Sequence, residues 1–273
     1  RNARTPHKRQ ALRDNEVMPI DYARRLIGRE RTPAANRQLG IALAFVAGAT
    51  NAGAFLAVKQ YTSHMTGLVS SMADELVLGN LPLALSALGG LVSFILGAGT
   101  TAVLVNLARR RHLHSQYALP LLLEAVWMLL FGLLGSQLAE IGEDFVPATV
   151  VVLCFMMGLQ NAVITKVSNA EIRTTHLTGM ITDIGIELGK LVYWNHLPES
   201  VASPVRVNPQ RLATLSALVG AFFLGGVIGA LGFKHLGYAM TLPLALLLAS
   251  LALVPAADDV RQRLGKSPQG HRT

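Results

Sequence analysis

Long apolar segments alternate with short polar or charged ones along most of the chain. Six segments are strongly apolar over about 20 residues each, and they lie near 39–58, 81–107, 117–139, 146–165, 212–232 and 237–255. A helix of about 20 apolar residues crosses the hydrocarbon core of a bilayer. The pattern therefore predicts an all-α integral membrane protein with six transmembrane helices.

Two further segments have helical periodicity but carry polar side chains. They are HMTGLVSSMADELVLG, 64–79, and HLTGMITDIGIELGKLVYW, 176–194. The first would be about 24 Å long, which is short of a hydrocarbon core of about 30 Å. Its adjacent acids, Asp74 and Glu75, would be costly against lipid. We predict two short polar helices, re-entrant or broken, beside the six spans; whether they cross the membrane is left open.

The order of the elements repeats, and short motifs repeat with it. GATNA at 48–52 matches GLQNA at 158–162, and ILGAG at 95–99 resembles FLGGV at 223–227. Each polar helix begins with a histidine, in HMTG or in HLTG. The chain therefore divides into two halves, each with three spans and one polar helix.

An odd number of crossings in each half inverts the second half relative to the first. Such inverted-topology repeats are frequent in secondary transporters. The predicted regions are a basic cytoplasmic tail at 1–38, a first membrane repeat at 39–139, a second repeat at 140–256 and a cytoplasmic C-terminal tail at 257–273.

The positive charges favour six crossings with both termini in the cytoplasm. In that topology 22 of the 24 Lys and Arg residues lie inside, whereas 17 do if both polar helices cross. Cytoplasmic loops of membrane proteins are enriched in Lys and Arg. The net charge of +8 thus needs no nucleic acid to explain it. We expect a lipid bilayer as partner and no nucleic acid.

One face of each polar helix carries the candidate chemistry. His64, Ser71 and Glu75 share a face, and His176, Asp183 and Glu187 repeat the same spacing. Ionisable residues at membrane depth usually face a cavity or each other. Buried helix starts would also attract anions through their free N–H groups. Thr62 and Ser63 precede the first histidine and Thr174 and Thr175 precede the second. These are good N-cap residue types, so capping and packing alone stay an alternative.

Amides and one carboxylate lie within otherwise apolar spans. They either contact a substrate or tie spans together, and Glu124 is either a proton carrier or an ordinary carboxylate near the headgroups. No catalytic residue, metal site or cofactor is predicted, because no metal-ligand or phosphate-binding motif occurs. The predicted substrate- or ion-binding residues are Asn51, His64, Thr66, Gly67, Glu75, Gln160, Asn161, Arg173, Thr175, His176, Thr178, Gly179, Asp183 and Glu187.

The motifs GATNAGAFL, SHMTG, GLQNA and RTTHLTGMITDIG resemble the YoaK family, bacterial integral membrane proteins that share a domain of unknown function. The resemblance covers about residues 39–255. The family commonly has an acidic residue where this chain has Asn51. The resemblance implies a location in the bacterial inner membrane and supplies no substrate.

These features favour a transporter or permease for a small polar or anionic solute. Proton coupling is left open, since histidine titrates near physiological pH. An intramembrane enzyme that uses His and Glu as acid and base is a second hypothesis, and a non-transporting scaffold or sensor is a third. A homo-oligomer is also left open.

Overall fold

The computed structural model describes residues 33–58, 61–111, 113, 115–141, 146–167, 177–194 and 204–265. Within these ranges all regular structure is helical. The helices are α1 Pro33–Val58, α2 Met65–Val77, α3 Leu81–Arg110, α4 Ala118–Ile141, α5 Val146–Val167, α6 Leu177–Val192, α7 Pro209–Leu236 and α8 Thr241–Gly265, with a 3₁₀ turn Gly237–Met240 between the last two.

Five stretches of described helix are long and apolar enough to cross a membrane. They are Ala34–Leu56, Leu81–Arg110, Ala118–Ser136, Ala148–Lys166 and Pro209–Leu253. The last stretch runs through α7, the 3₁₀ turn and α8. The prediction of an all-helical membrane protein is confirmed. The predicted polar segments form the two short helices, α2 and α6.

The outermost helices extend beyond the predicted ends of the apolar segments. Helix α1 already begins at Pro33, and α8 continues to Gly265. Helical hydrogen bonds are local to the backbone, so a helix can continue into polar sequence. Helix α7 begins after Asn208, whose side chain accepts a hydrogen bond from the Arg211 N–H at 3.0 Å. Helix α7 ends at Leu236, and its C-cap residue, Gly237, has a positive φ of 58°.

Glycines bring α1 and α7 into backbone contact. A Cβ at Gly48 would overlap the carbonyl oxygen of Phe222, and a Cβ at Gly225 would overlap the carbonyl oxygen of Phe45. Small residues let membrane helices approach closely, and van der Waals packing then holds them together.

The same arrangement occurs between α3 and α5. A Cβ at Gly97 would overlap the Phe155 carbonyl, and a Cβ at Gly158 would overlap the Phe94 carbonyl. Hydroxyl groups reinforce this contact, because Ser93 donates to the Val151 carbonyl at 2.7 Å and Thr101, about two turns further along, donates to the Leu159 carbonyl at 3.0 Å. Both close crossings thus use glycines from the motifs that repeat in the sequence.

The largest buried side chains come from the first, fourth and fifth helices, and they meet α8 in one core. Members with no exposed surface include Leu43, Leu121, Phe131, Leu153 and Met156. Helix α3 is different, because most of its apolar side chains are exposed. An apolar exposed surface of this length fits contact with lipid.

Candidate functional site

A cleft of about 260 Å³ lies between α2 and the start of α3. Helix α2 contributes one polar face, and α3 closes the opposite wall. The lining residues are Tyr61, His64, Gly67, Leu68, Ser71, Glu75, Leu83, Ser86 and Ala87.

The face of α2 predicted from helical spacing lines this cleft. His64, Ser71 and Glu75 all lie on it, because positions seven and eleven residues apart return to one side of a helix. Thr66 falls between them in sequence but is exposed and outside the cleft. The cleft therefore presents an imidazole, a hydroxyl and a carboxylate along its length.

The histidine is placed by the glycine that follows it. His64 is the N-cap residue of α2, and its side chain makes no capping bond. A Cβ at Gly67 would lie 2.6 Å from His64 Nδ1. The absence of a side chain at Gly67 therefore lets the imidazole lie against the first turn of α2. This contact gives the His-x-x-Gly spacing of the sequence a physical reason.

The residues before the histidine do not cap α2 as the sequence pattern predicted. Ser63 Oγ instead donates to Asn51 Oδ1 on α1 at 2.9 Å. The carbonyl of buried Thr62 accepts a bond from the Cys154 thiol on α5 at 3.6 Å. The start of α2 is thus fixed by two long helices rather than by its own cap, and Asn51 supports the cleft from behind.

Glu75 lies at the other end of the cleft and contacts the start of α3. Its Oε2 accepts a bond from Asn80 Nδ2 at 2.7 Å. Asn80 is the N-cap residue of α3. The carboxylate therefore ties the end of α2 to the next long helix while one side of it faces the cleft.

The second polar helix makes a related contact with α7. Glu187 Oε2 accepts the backbone N–H of Asn208, the N-cap residue of α7, at 2.8 Å. Its Oε1 pairs with Lys190 Nζ, also at 2.8 Å. The Asn208 N–H, helped by Lys190, holds the pKa of Glu187 below its ordinary value. The carboxylate is buried, so its oxygens serve the fold.

The other predicted residues on and before α6 do not line a common cavity. Asp183 Oδ2 pairs with Arg211 Nη2 at 3.0 Å. Thr178 and Gly179 are exposed at the start of α6. The other three, Arg173, Thr175 and His176, lie outside the described residues.

The amides on α5 do not reach the cleft. Gln160 Nε2 donates to Glu124 Oε1 at 2.8 Å in the core between α4 and α5. Asn161 Nδ2 donates to the Met157 carbonyl of its own helix. The described members of the predicted site are therefore dispersed among the cleft, the contact between α6 and α7 and the core, while Thr66, Thr178 and Gly179 are exposed and Asn51 bonds to Ser63.

The cleft also contains two polar side chains, those of Tyr61 and Ser86, that the sequence pattern did not mark, besides apolar ones such as Leu68. Ser86 lies in the apolar segment of α3, and Tyr61 precedes the polar helix. Tyr61 stacks on Phe55 with ring centroids 4.8 Å apart.

Among the described residues, no group of three or more His, Cys, Asp or Glu side chains could hold a metal ion.

Comparison with protein families agrees with the sequence motifs. A family profile described as "Protein of unknown function (DUF1275)" matches residues 39–254. The chain belongs to the DUF1275 family. The YoaK family, which the motifs resemble, is this same family, so the resemblance is confirmed. No curated protein and no solved structure matches the chain.

Proposed function

We propose that this DUF1275 protein is a membrane transporter or permease for a small polar or anionic solute. The observation that carries the proposal is the cleft between α2 and α3. It offers a hydrogen-bonding imidazole from His64 and a hydroxyl from Ser71 inside an otherwise apolar helical protein. Polar side chains in membrane domains usually mark a substrate or ion pathway.

The matched glycine crossings support an inverted-repeat architecture. Gly48 and Gly158 are equivalent positions of the repeated motif, and each faces a carbonyl of a helix from the other half. The contact of α1 with α7 therefore has its counterpart in the contact of α5 with α3. Repeats of this kind place substrate sites at interrupted helices near the midplane.

The lengths of the polar helices support six crossings, while the Lys and Arg distribution favours cytoplasmic termini and the family resemblance implies the bacterial inner membrane. Helix α2 has 13 residues and α6 has 16. At 1.5 Å per residue they are about 20 and 24 Å long, shorter than a hydrocarbon core of about 30 Å. A topology reporter placed after Arg111 should be cytoplasmic, and an external signal would favour eight crossings.

Uptake into proteoliposomes tests the proposal directly. Inorganic phosphate, sulfate, acetate and neutral polar amino acids serve as labelled probes. Glu75→Gln keeps the acceptor for Asn80 but removes the charge from the cleft, and His64→Ala removes the imidazole. We expect both variants to lose most of the uptake. Asp74→Asn is the matched control, because Asp74 is the adjacent acid, is exposed and lies outside the cleft.

Two results would contradict transport at this cleft. Equal uptake by Glu75→Gln and the wild-type protein would show that the cleft is not part of the transport pathway. Conversion of a probe without its accumulation in the vesicles would favour the intramembrane enzyme.

A further inference from the structure

Glu124 and Gln160 form an isolated polar pair between α4 and α5. Neither side chain has exposed surface. Gln160 Nε2 donates to Glu124 Oε1 at 2.8 Å, and this is the bond that joins the two helices at this level. Leu121 and Met128, one turn away on α4, are also fully buried. The pair therefore lies in an apolar environment.

The pair contains two buried acceptor oxygens that have no partner. These atoms are Glu124 Oε2 and Gln160 Oε1. A carboxylate and an amide carbonyl can only accept hydrogen bonds. If Glu124 were ionised, both oxygens would stay unsatisfied, at about 1–3 kcal/mol each. The uncompensated buried charge would cost still more.

One proton satisfies both oxygens. A carboxylic acid and a primary amide can pair through two bonds: the amide N–H donates to one acid oxygen, and the acid O–H donates to the amide oxygen. The first of these bonds is present at 2.8 Å. In such a pair, the two orphaned atoms would be the donor and acceptor oxygens of the second bond.

We propose that Glu124 and Gln160 form a proton-binding site in the membrane domain, in which Glu124 carries a proton on Oε2 and donates it to Gln160 Oε1. The ligand is a single proton, and the carboxylate binds and releases it without any redox change. No metal or cofactor takes part.

Among the described residues, the hydrogen-bond partner of the Glu124 carboxyl is Gln160, and no titratable side chain bonds to it. Helix α4 packs against α5, α8, α3 and the 3₁₀ turn, and its Met128 touches α1. The described side chains of α8 include none that is charged. The titratable or charged groups that the other elements contribute are Cys154 and Lys166 on α5, Arg109 and Arg110 at the end of α3, Tyr238 on the 3₁₀ turn and Arg37 on α1.

The second half of the chain offers an internal comparison. Leu119-Pro120-Leu121 at the start of α4 matches Leu242-Pro243-Leu244 at the start of α8. This register places Leu247 opposite Glu124, and the GATNA and GLQNA motifs place Thr50 opposite Gln160. The equivalent positions thus carry no acid–amide pair. The repeat alone therefore does not require an acid or an amide at these positions.

Release of the proton requires a rearrangement between α4 and α5. Glu124 lies six residues after the first residue of α4, or about 9 Å along the helix. The nearer end of the contact is closed by Tyr117, whose hydroxyl donates to the Lys166 carbonyl at 3.2 Å. If Glu124 ionised without any movement, its charge would be buried and unpaired. Water must therefore enter the contact, or α4 and α5 must separate. That this movement couples to solute transport rests on the proposed function; the proton site itself does not.

Infrared spectroscopy of the full chain in lipid nanodiscs tests the site without any solute. A protonated carboxyl gives a C=O stretch, sensitive to D₂O, that a carboxylate lacks. We expect this band in the wild-type protein at neutral pH. It should be lost in Glu124→Gln and kept in Asp74→Asn. Glu124→Gln should fold, because the new amide can form the same two bonds with Gln160. Gln160→Leu should shift the band to higher wavenumber, since the acid loses its acceptor.

The outcomes separate the proton site from the alternatives. Identical wild-type and Glu124→Gln spectra at neutral pH would overturn the proposal, because the carboxyl would then be ionised. A band that appears only when Na⁺ is replaced by choline would overturn it in favour of a cation site. If the band behaves as expected but no probe is taken up, the proton site stands and the transport proposal fails.

Discussion

Adding one methyl group to either of two adjacent glycines of α7 should have opposite effects on stability. Gly225→Ala places a Cβ on the Phe45 carbonyl of α1, with the Phe45 Cα only 2.9 Å away. Gly226→Ala places a Cβ whose nearest neighbour is the Gly48 carbonyl oxygen at 3.8 Å, an ordinary contact distance. The two variants share sequence neighbourhood, helix and chemistry, and they differ only in the direction of the methyl group.

The expected free-energy difference follows from the two contacts. Overpacking a close contact costs about 1–3 kcal/mol. Replacing glycine by alanine inside a helix gains about 0.5–1 kcal/mol. Gly225→Ala should therefore destabilise the protein by about 1–2 kcal/mol, whereas Gly226→Ala should stabilise it by about 0.5–1 kcal/mol. The two melting temperatures should differ by about 3–12 °C, at roughly 2–4 °C per kcal/mol for a chain of this size.

Thermal unfolding of the purified protein in detergent, followed by size-exclusion chromatography, measures the difference. Gly48→Ala should resemble Gly225→Ala, because its Cβ meets the Phe222 carbonyl. One separation of the two helices relieves both clashes, so the double variant should lose less stability than the sum of the single variants. Equal stability of Gly225→Ala and Gly226→Ala would refute the backbone contact between α1 and α7.

Three other contacts lead to predictions of smaller scope. The bond from Asn208 stabilises ionised Glu187 and lowers its pKa in the folded protein. The resulting stabilisation is fully present above the pKa of the unfolded chain, about 4.3. It is lost as the pH falls through the lowered pKa of the folded protein. The difference in melting temperature between wild-type and Glu187→Gln should therefore shrink on acidification, and a constant difference would contradict the linkage. Asn208→Ala should cost about 1 kcal/mol of stability in urea unfolding, because α7 loses its N-cap. Thr101→Val removes a 3.0 Å bond to the Leu159 carbonyl and should cost about 0.6 kcal/mol, whereas Thr100→Val, whose hydroxyl bonds its own helix, should be nearly neutral in the same assay.

The helices were predictable because their signals are local. Apolar length marked the long helices, and polar residues at helical spacing marked α2 and α6. The repeated motifs also identified Gly48 and Gly158 as equivalent. Their physical role was not predictable, because it depends on the carbonyl groups of helices more than fifty residues away in sequence.

The candidate site was predictable only in part, for the same reason. Helical spacing correctly grouped His64, Ser71 and Glu75 on one face of α2. It could not reveal that Ser63 bonds to α1 instead of capping α2. Nor could it pair Glu124 with a residue 36 positions away. Local periodicity orders residues within one helix, whereas partners across helices depend on tertiary packing.

The two glutamates that repeat in the sequence have a shared structural role. Glu75 bonds to Asn80 and Glu187 to Asn208, and each asparagine is the N-cap residue of the following long helix. The carboxylate eleven residues after each histidine thus makes the same kind of contact, to the N-cap residue of the next long helix. Duplication would preserve such a contact whether or not the protein binds a solute.

Differences between the halves are therefore more informative about function than their similarities. Asp183 of the second half pairs with Arg211, whereas its counterpart in the first half is Ser71, a neutral residue that lines the cleft. Glu187 has a second partner in Lys190, whereas Glu75 accepts its bond from Asn80 and also lines the cleft. The described part of the second half is neutralised by its own cations. If the protein transports a solute as proposed, we therefore expect the first half to contribute more free polar groups than the described part of the second half.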